Sequence, residues 1–242
     1  MSIQLTKRVE SVGIVLAKRG VTKAPPIRVG LALDVSGSAE WMYTNGTMQE
    51  TVNRVQAVAL KFDDNGELDM WAFSNATTQL PAATADDEGT YLGQHINYQT
   101  IPTLWRGTEY GPCIESVTSY YYPDTQAKKK GFFGNLFSGG KPATSAPTEA
   151  QLPAMLLFVT DGDANDKEFT ESVLTKISED KSKNIFFMMV GVGSASSFAF
   201  LKHLDKMHAN VGYVNLAALT ISDDELYDKL VSQKFADWIR VQ

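Results

Sequence analysis

Three oxygen-bearing side chains follow the first apolar run of the chain at every second position. Residues 27–33 are mostly apolar, which is typical of a strand buried on both faces of a parallel sheet. Asp34, Ser36 and Ser38 come directly after this run, with Gly37 between the serines. A tight turn at Gly37 would direct all three side chains into one space at the carboxyl edge of the sheet. Sheets of this kind bind ligands at that edge. A carboxylate and two hydroxyls are hard ligands that suit Mg²⁺, Ca²⁺ or Mn²⁺ better than zinc or copper.

Two further segments offer oxygen ligands at predicted loop positions. Thr108 lies in a Gly-Thr loop before a predicted helix, and Asp161 follows the apolar run 154–160. Taken singly, residues of these types more often cap turns and helices than bind metal. We assign Asp163 and Asp166 mainly to such turn and cap roles.

The three segments together resemble the metal-ion-dependent adhesion site of the von Willebrand factor type A (vWA) domain. The family pattern is Asp-x-Ser-x-Ser, then a Gly-Thr loop, then Thr-Asp-Gly, and the resemblance spans roughly residues 27–220. Thr103 competes with Thr108, but Gly107-Thr108 followed by Gly111 and Ile114 matches the family loop better. The predicted metal-site residues are Asp34, Ser36, Ser38, Thr108 and Asp161.

The resemblance also implies how this site works. The two serines and the threonine would contact the cation directly, whereas Asp34 and Asp161 would act mostly through water. Neutral hydroxyls leave the cation most of its charge, and magnesium keeps positions for water or a ligand. The implied function is a metal-dependent protein-binding module, in which an Asp or Glu of a partner protein completes the coordination of Mg²⁺. Ca²⁺ and Mn²⁺ stay open as alternatives.

Several stretches look like the bacterial or phage vWA proteins of the tellurium-resistance stress systems. They are residues 28–38, 41–43, 68–74 and the Lys/Gly/Phe-rich stretch 128–137. This narrower resemblance implies a role in a chemical-stress response complex, with a TerD-type calcium-binding protein as the partner.

The elements that must position these residues alternate between strands and helices. Strands are predicted for residues 27–33, 68–73, 154–160, 185–192 and 211–216, and residues 77–80 are expected as a short antiparallel edge strand. This order predicts an α/β fold of the Rossmann-like, doubly wound type. Its sheet would be six-stranded and mainly parallel, with helices on both faces and one antiparallel edge strand.

Helix boundaries are predicted from capping patterns. Capping boxes are expected at residues 47–50 and 165–168, each before a helical apolar stripe. A single closing helix is expected after Ser222, with Leu226, Leu230 and Trp238 directed towards the core.

The chain divides into an N-terminal segment, residues 1–26, and one vWA domain, residues 27–242. Residues 2–20 predict an amphipathic helix whose apolar stripe packs on the sheet of this chain or, alternatively, docks on a membrane or a partner. Within the domain, composition predicts a flexible insertion at about residues 124–150, which we expect to alter the surface near the site. Its basic and aromatic part, residues 128–137, is a candidate for peripheral membrane contact.

The composition disfavours several other classes. The 242 residues carry a formal net charge of -6, so no nucleic-acid partner is expected. Cys113 is the only cysteine, which precludes an intrachain disulfide. The first twenty residues lack the apolar segment of a signal peptide, and the apolar runs are far below the roughly 20 residues that span a bilayer. We therefore expect a cytoplasmic protein.

The sequence gives less support to an enzymatic function. A haloacid-dehalogenase phosphatase also places an aspartate after a buried first strand and uses Mg²⁺, but it would need a second aspartate two residues after Asp34, where this chain has Ser36. The histidines lack zinc-protease spacing, and Cys113 has no placed histidine base. We predict that the chain is not an enzyme. The alternatives are a Mg²⁺-dependent phosphohydrolase and a membrane-associated scaffold that acts through the insertion.

Overall fold

In the described part of the chain, six strands form one sheet. The strands are β1 (Arg28–Asp34), β2 (Leu68–Phe73), β3 (Thr77–Ala83), β4 (Ala154–Thr160), β5 (Ile185–Val192) and β6 (Val211–Leu216). Their order in the sheet is β3-β2-β1-β4-β5-β6. Only β3 pairs antiparallel, on the β2 edge, and the other neighbours are parallel. This computed structural model, which describes residues 2–62, 66–123, 152–194, 198–216 and 221–242, confirms the predicted fold.

Helices cover both faces of the sheet. They are α1 (Ile3–Lys18), α2 (Glu40–Thr44), α3 (Thr47–Phe62), α4 (Tyr91–His95), α5 (Gly111–Tyr121), α6 (Lys167–Glu179), α7 (Ala199–Met207), α8 (Asp223–Leu230) and α9 (Gln233–Ile239). α1, α3, α8 and α9 lie on one face, and α5, α6 and α7 lie on the other. Within the described ranges, no helix has the length and apolar character needed to cross a membrane.

The central strand β1 is buried on both faces, as its apolar run predicts. Val29, Leu31 and Leu33 belong to the core on one face, while Ala32 belongs to the core on the other. A Cβ atom at Gly30 would lie 2.7 Å from the Tyr121 hydroxyl and 2.8 Å from a ring atom of Trp71. Glycine at this position therefore lets large aromatic side chains pack directly on the strand.

The N-terminal helix α1 packs its apolar stripe against α3 and α8. Leu5, Val12 and Leu16 are buried there. Arg8 lies on the same side of the helix and makes ion pairs with Glu50, at 2.6 Å, and Asp223, at 3.1 Å. The apolar side of α1 is thus covered by this chain. The division of the chain at residue 26 stays a prediction.

Both predicted capping boxes are absent from the described structure. At the start of α3, Glu50 does not fold back to cap its own helix, because it pairs with Arg8 and with Arg54 at 2.6 and 3.0 Å. At the start of α6, Asp166 makes no side-chain cap on that helix. At α3 a partner distant in sequence takes the glutamate of the box, whereas at α6 the N-cap position is occupied by Asp166 and not by Asn165.

The predicted closing helix is two helices. Ser222 caps α8 as expected, since its hydroxyl accepts a hydrogen bond from the Glu225 amide at 3.2 Å. The helix ends at Leu230, and Ser232 begins α9 by accepting from the Phe235 amide at 3.2 Å. A second serine cap therefore breaks the predicted helix.

The chain ends that flank residues 124–151 meet at the start of β4. The Tyr122 hydroxyl donates to the Leu152 carbonyl at 2.9 Å, and Arg28 donates to the carbonyls of Tyr121 and Leu152 at 2.8 and 3.3 Å. The predicted insertion, including residues 128–137, lies outside the described residues. Its attachment points are separated from Asp161 by the length of β4, about 20 Å. The expectation that the insertion alters the surface near the site stays a prediction, because residues 124–151 lie outside the described residues.

Candidate metal site at the carboxyl edge of the sheet

The site lies where the strand order changes direction. β1 and β4 are neighbours, with Leu33 paired to Val159, and the sheet continues to β2 on one side and to β5 on the other. Loops that leave such a pair of strands diverge and open a crevice, which is where ligands bind in this class of sheet. Asp34 ends β1 and Asp161 follows β4, so the topology places both carboxylates at this crevice.

Four of the five predicted residues are joined by direct contacts. Oδ1 of Asp34 accepts a hydrogen bond from the Ser36 amide at 2.8 Å. The hydroxyls of Ser36 and Ser38 lie 3.2 Å apart. Ser38 donates to Oδ1 of Asp161 at 2.9 Å. The structure thus joins Ser38 to Asp161, 123 positions further along the chain, and links Asp34 to this row through Ser36.

Backbone contacts place the loop of Thr108, the fifth residue, beside this row. The Gly37 amide donates to the Arg106 carbonyl at 3.0 Å, and the Asn165 amide donates to the Thr108 carbonyl at 2.8 Å. The loop therefore bridges the segments that follow β1 and β4. Thr108 is buried, and within the described part of the chain its hydroxyl has no hydrogen-bond partner. Its side chain is not joined to the other four.

The competing threonine, Thr103, is engaged elsewhere. Ser74 follows β2 and donates its hydroxyl proton towards the carbonyl of Thr103, at 2.7 Å, and its hydroxyl, at 2.9 Å. These contacts give Thr103 a structural role at the end of β2. The choice of Thr108 over Thr103 as the candidate ligand stays a prediction.

Residues that the sequence did not single out support Asp34 from two sides. Thr160 donates to Oδ2 of Asp34 at 2.6 Å, and Tyr110 donates to the Thr160 hydroxyl at 3.0 Å. Tyr43 donates to the Asp34 carbonyl at 2.8 Å and packs edge-on against Trp105. Thr160 precedes Asp161 in the Thr-Asp-Gly motif, so its place near the site could have been inferred from the sequence. Nothing in the sequence pairs either tyrosine with the site.

Trp41 in α2 contacts the site through its indole nitrogen. Nε1 donates to Oδ2 of Asp161 at 3.0 Å, so Asp161 accepts from Ser38 and from Trp41 with different oxygens. The Trp41 side chain is 41% exposed. Sequence spacing puts Trp41 one helical turn after Ser38, but it does not indicate that the indole turns towards Asp161.

Asp166 stabilises the Thr108 loop by capping α5. Its carboxylate accepts from the amides of Tyr110 and Gly111 at 2.9 and 2.8 Å. A negative charge is favourable at a helix N-terminus, where backbone N–H groups are free. The predicted cap role of Asp166 is therefore correct in kind but wrong in the helix that it serves.

The electrostatics of the site favour a cation. Burial raises the pKa of Asp34 to about 6, and the hydrogen bonds from Ser36 and Thr160 oppose this shift. Across the described ranges, no Lys or Arg forms an ion pair with Asp34 or Asp161. Asp34 is fully buried, whereas Asp161 is only partly buried. A buried carboxylate without a positive partner is costly, so the arrangement suits an added positive charge.

The donor set fits a hard divalent cation. In the described residues, no three His, Cys, Asp or Glu side chains converge as a metal cluster, so a cation here would depend on hydroxyls. Two carboxylates and neighbouring hydroxyls are the ligands that Mg²⁺, Mn²⁺ or Ca²⁺ prefer. Both oxygens of Asp34 already accept hydrogen bonds, which agrees with a role through water.

Comparisons with solved structures identify the same fold at low sequence identity. An aerotolerance-related membrane protein from Bacteroides fragilis NCTC 9343 superposes with a TM-score of 0.52 at 13% identity, covering 86% of this chain and 98% of that one. Manganese-loaded TRAP protein from Plasmodium vivax superposes with a TM-score of 0.51 at 14% identity, covering 86% and 73%. Proximal thread matrix protein 1 from the mussel byssus gives 0.52 at 14% identity, but the match covers only 48% of that chain.

Sequence comparisons identify the family. The uncharacterized protein YcbR of Bacillus subtilis (strain 168) is 32% identical over 245 residues, covering 99% of this chain and 87% of that protein. The family model vWA-TerF-like, described as the vWA found in the TerF C terminus, matches residues 26–140 and 142–242. Together with the sheet order and the crevice between β1 and β4, these matches show that the chain belongs to the vWA-TerF-like family of vWA domains.

Proposed function

We propose that this chain is a divalent-metal-dependent protein-binding module and not an enzyme. The observation that carries the proposal is the row of contacts from Asp34 through Ser36 and Ser38 to Asp161, which has no cationic partner within the described residues. The fold shared with manganese-loaded TRAP protein supports it. The proposed metal-site residues are Asp34, Ser36, Ser38, Thr108 and Asp161, with Mg²⁺ as the first candidate and Ca²⁺ or Mn²⁺ as alternatives.

The hydroxyl and carboxylate residues of the proposed site have different roles. The hydroxyls of Ser36, Ser38 and Thr108 would contact the cation, while the carboxylates of Asp34 and Asp161 would balance its charge and orient the serines. When bound, the cation supplies a Lewis-acidic position to which a carboxylate can bind. An Asp or Glu of a protein partner is therefore the ligand that this site suits.

The family suggests a biological role. Because the matching family model is a vWA domain from the TerF C terminus, we propose a cytoplasmic role in a tellurium-resistance or chemical-stress complex. A TerD-type calcium-binding protein is the proposed partner. Membrane contact through residues 128–137 stays a prediction, since these residues lie outside the described ranges.

Calorimetric titration tests the metal step. Mg²⁺, Ca²⁺ and Mn²⁺ are titrated into chelator-stripped protein, and into the variants Asp34→Asn and Ser36→Ala. Ser119→Ala is the matched control, because Ser119 is an exposed residue of α5 outside the row of contacts. We expect saturable binding that both site variants weaken by at least tenfold and the control leaves unchanged. No binding at millimolar metal would contradict the proposal.

A pull-down tests the partner step. A purified TerD-type protein is captured on immobilised chain with Mg²⁺, and again with EDTA. Capture that EDTA and Ser36→Ala both abolish supports a metal-bridged contact, whereas capture that neither affects contradicts it. Release of phosphate from p-nitrophenyl phosphate, lost in Asp34→Asn, would instead favour a phosphohydrolase.

A further inference from the structure

The hydroxyl of Ser38 is oriented by the Asp161 carboxylate, which accepts a second hydrogen bond from Trp41. Ser38 donates its proton to Oδ1 of Asp161 at 2.9 Å. The other oxygen of that carboxylate, Oδ2, accepts the indole N–H of Trp41 at 3.0 Å. Two donors on opposite oxygens fix the plane of the carboxylate more firmly than either does alone.

The direction of the Ser38 proton decides whether its oxygen can bind a cation. A hydroxyl has one proton and two lone pairs, and only a lone pair can face a metal. Because the proton points to Asp161, the lone pairs of Ser38 are left for the side of the crevice and for Ser36, 3.2 Å away. Whatever keeps Asp161 in place therefore also keeps Ser38 ready to bind.

We propose that Trp41 is a positioning residue of the metal site, whose indole N–H orients Asp161 and, through it, Ser38. This inference rests on the proposed function, because it concerns the affinity of the same site. It goes further in assigning a role to a residue outside the Asp-x-Ser-x-Ser, Gly-Thr and Thr-Asp-Gly motifs.

The surroundings of Trp41 argue against a purely structural role. Its side chain is 41% exposed, whereas Trp71 is fully buried and Trp238 packs against the core. A large aromatic residue that stays partly in water gains less from burial than one in the core. The specific contact that Trp41 does make is the hydrogen bond to Asp161.

The test separates the N–H group from the ring. Trp41→Phe keeps an aromatic ring and removes the donor, and Trp41→Ala removes both. Trp238→Phe, in α9, is the matched control. Dissociation constants for Mg²⁺ and Mn²⁺ alone are measured by calorimetry, and the melting temperature of each chelator-stripped variant is measured in parallel.

We expect Trp41→Phe to weaken Mg²⁺ binding about tenfold or more, as loss of a group behind a metal ligand commonly does. Trp41→Ala should weaken it to a similar degree, and Trp238→Phe should not. The metal-free melting temperature of Trp41→Phe should stay within a few degrees of the wild type.

Two results would overturn the inference. One is a Trp41→Phe dissociation constant within twofold of the wild type. The other is a loss of affinity seen only in Trp41→Ala, which would assign the effect to the ring. Either result leaves the proposed function intact, whereas absence of metal binding to the wild-type chain contradicts the proposed function itself.

Discussion

Thr160 donates its hydroxyl proton to Oδ2 of Asp34 at 2.6 Å, and both residues are fully buried. This bond ties the ends of the neighbouring strands β1 and β4 together at the candidate site. Tyr110 donates to the Thr160 hydroxyl in turn, at 3.0 Å. A hydrogen bond to a buried charged acceptor contributes more than a neutral one, about 1.5–3 kcal/mol.

Replacing Thr160 with valine should destabilise the protein. The substitution keeps the shape of the side chain and leaves Asp34 with one donor fewer, so we expect the free energy of unfolding to fall by about 1–3 kcal/mol. Urea denaturation of the chelator-stripped protein at pH 7 measures this. Thr170→Val is the control, since Thr170 is equally buried and its hydroxyl has no partner among the described residues. Equal losses in both variants would contradict the assigned role.

Asp166→Asn should loosen the start of α5. The two N–H groups of Tyr110 and Gly111 donate to different oxygens of the carboxylate, and asparagine replaces one of these oxygens with an NH₂ group. The charge at the helix N-terminus is lost as well. We expect a loss of about 1–2 kcal/mol in unfolding free energy and weaker metal binding, because the Thr108 loop leads into this helix.

Asp163→Asn is the matched control for that prediction. Asp163 forms an exposed ion pair with Lys167 at 2.6 Å. Pairs of this kind contribute little, so we expect a change below about 1 kcal/mol and unaltered metal affinity. A larger effect at Asp163 than at Asp166 would show that the cap on α5 does not support the loop.

The sequence predicts what local patterns determine. The buried strands follow from continuous apolar runs such as 154–160, and the crevice follows from the order of strands and helices. Asp34, Ser36, Ser38 and Asp161 come together because they lie at or just after the ends of the two central strands, β1 and β4. Their metal-binding role remains a proposal.

Contacts between residues distant in the chain could not be predicted from local patterns. Glu50 has the spacing of a capping residue, yet Arg8 of α1 takes its carboxylate. Asp166 caps α5 rather than its own helix, and Trp41 reaches an aspartate 120 residues further along the chain. Each of these side chains satisfies a hydrogen-bonding group that only the folded sheet brings near.

Residues 124–151 should be replaceable by a four-residue Gly-Ser linker. Tyr122 and Leu152 are already in contact, so a short link can close the chain without strain. We expect the melting temperature to change by only a few degrees and the Mg²⁺ dissociation constant to stay within twofold, as measured by calorimetry. A loss of metal binding would show that the segment takes part in the site.

Arg28→Met tests the attachment point itself. Arg28 donates to two carbonyls there and lies over the rings of Tyr121 and Tyr122, at 4.5 and 5.3 Å. Its removal should cost about 1–3 kcal/mol in unfolding free energy, without changing metal affinity. A variant as stable as the wild type would show that Arg28 does not hold these ends together.

Stability should fall in mild acid partly because of His208. Burial lowers the pKa of this imidazole, which faces Ser178, Glu171, His203 and Lys234. A base whose folded-state pKa is lowered binds fewer protons than in the unfolded chain. Stability is therefore complete above the unfolded-state pKa, near 6.5, and is lost as the pH falls below it. Urea midpoints of the wild type should drop between pH 7.5 and 5.5 more steeply than those of His208→Gln, and parallel curves would contradict this.

Strand β4 separates two features of the molecule. Asp161 follows one end of this strand, and the chain ends at Tyr122 and Leu152 meet at the other. The contact that joins these chain ends therefore lies at the opposite edge of the sheet from the crevice.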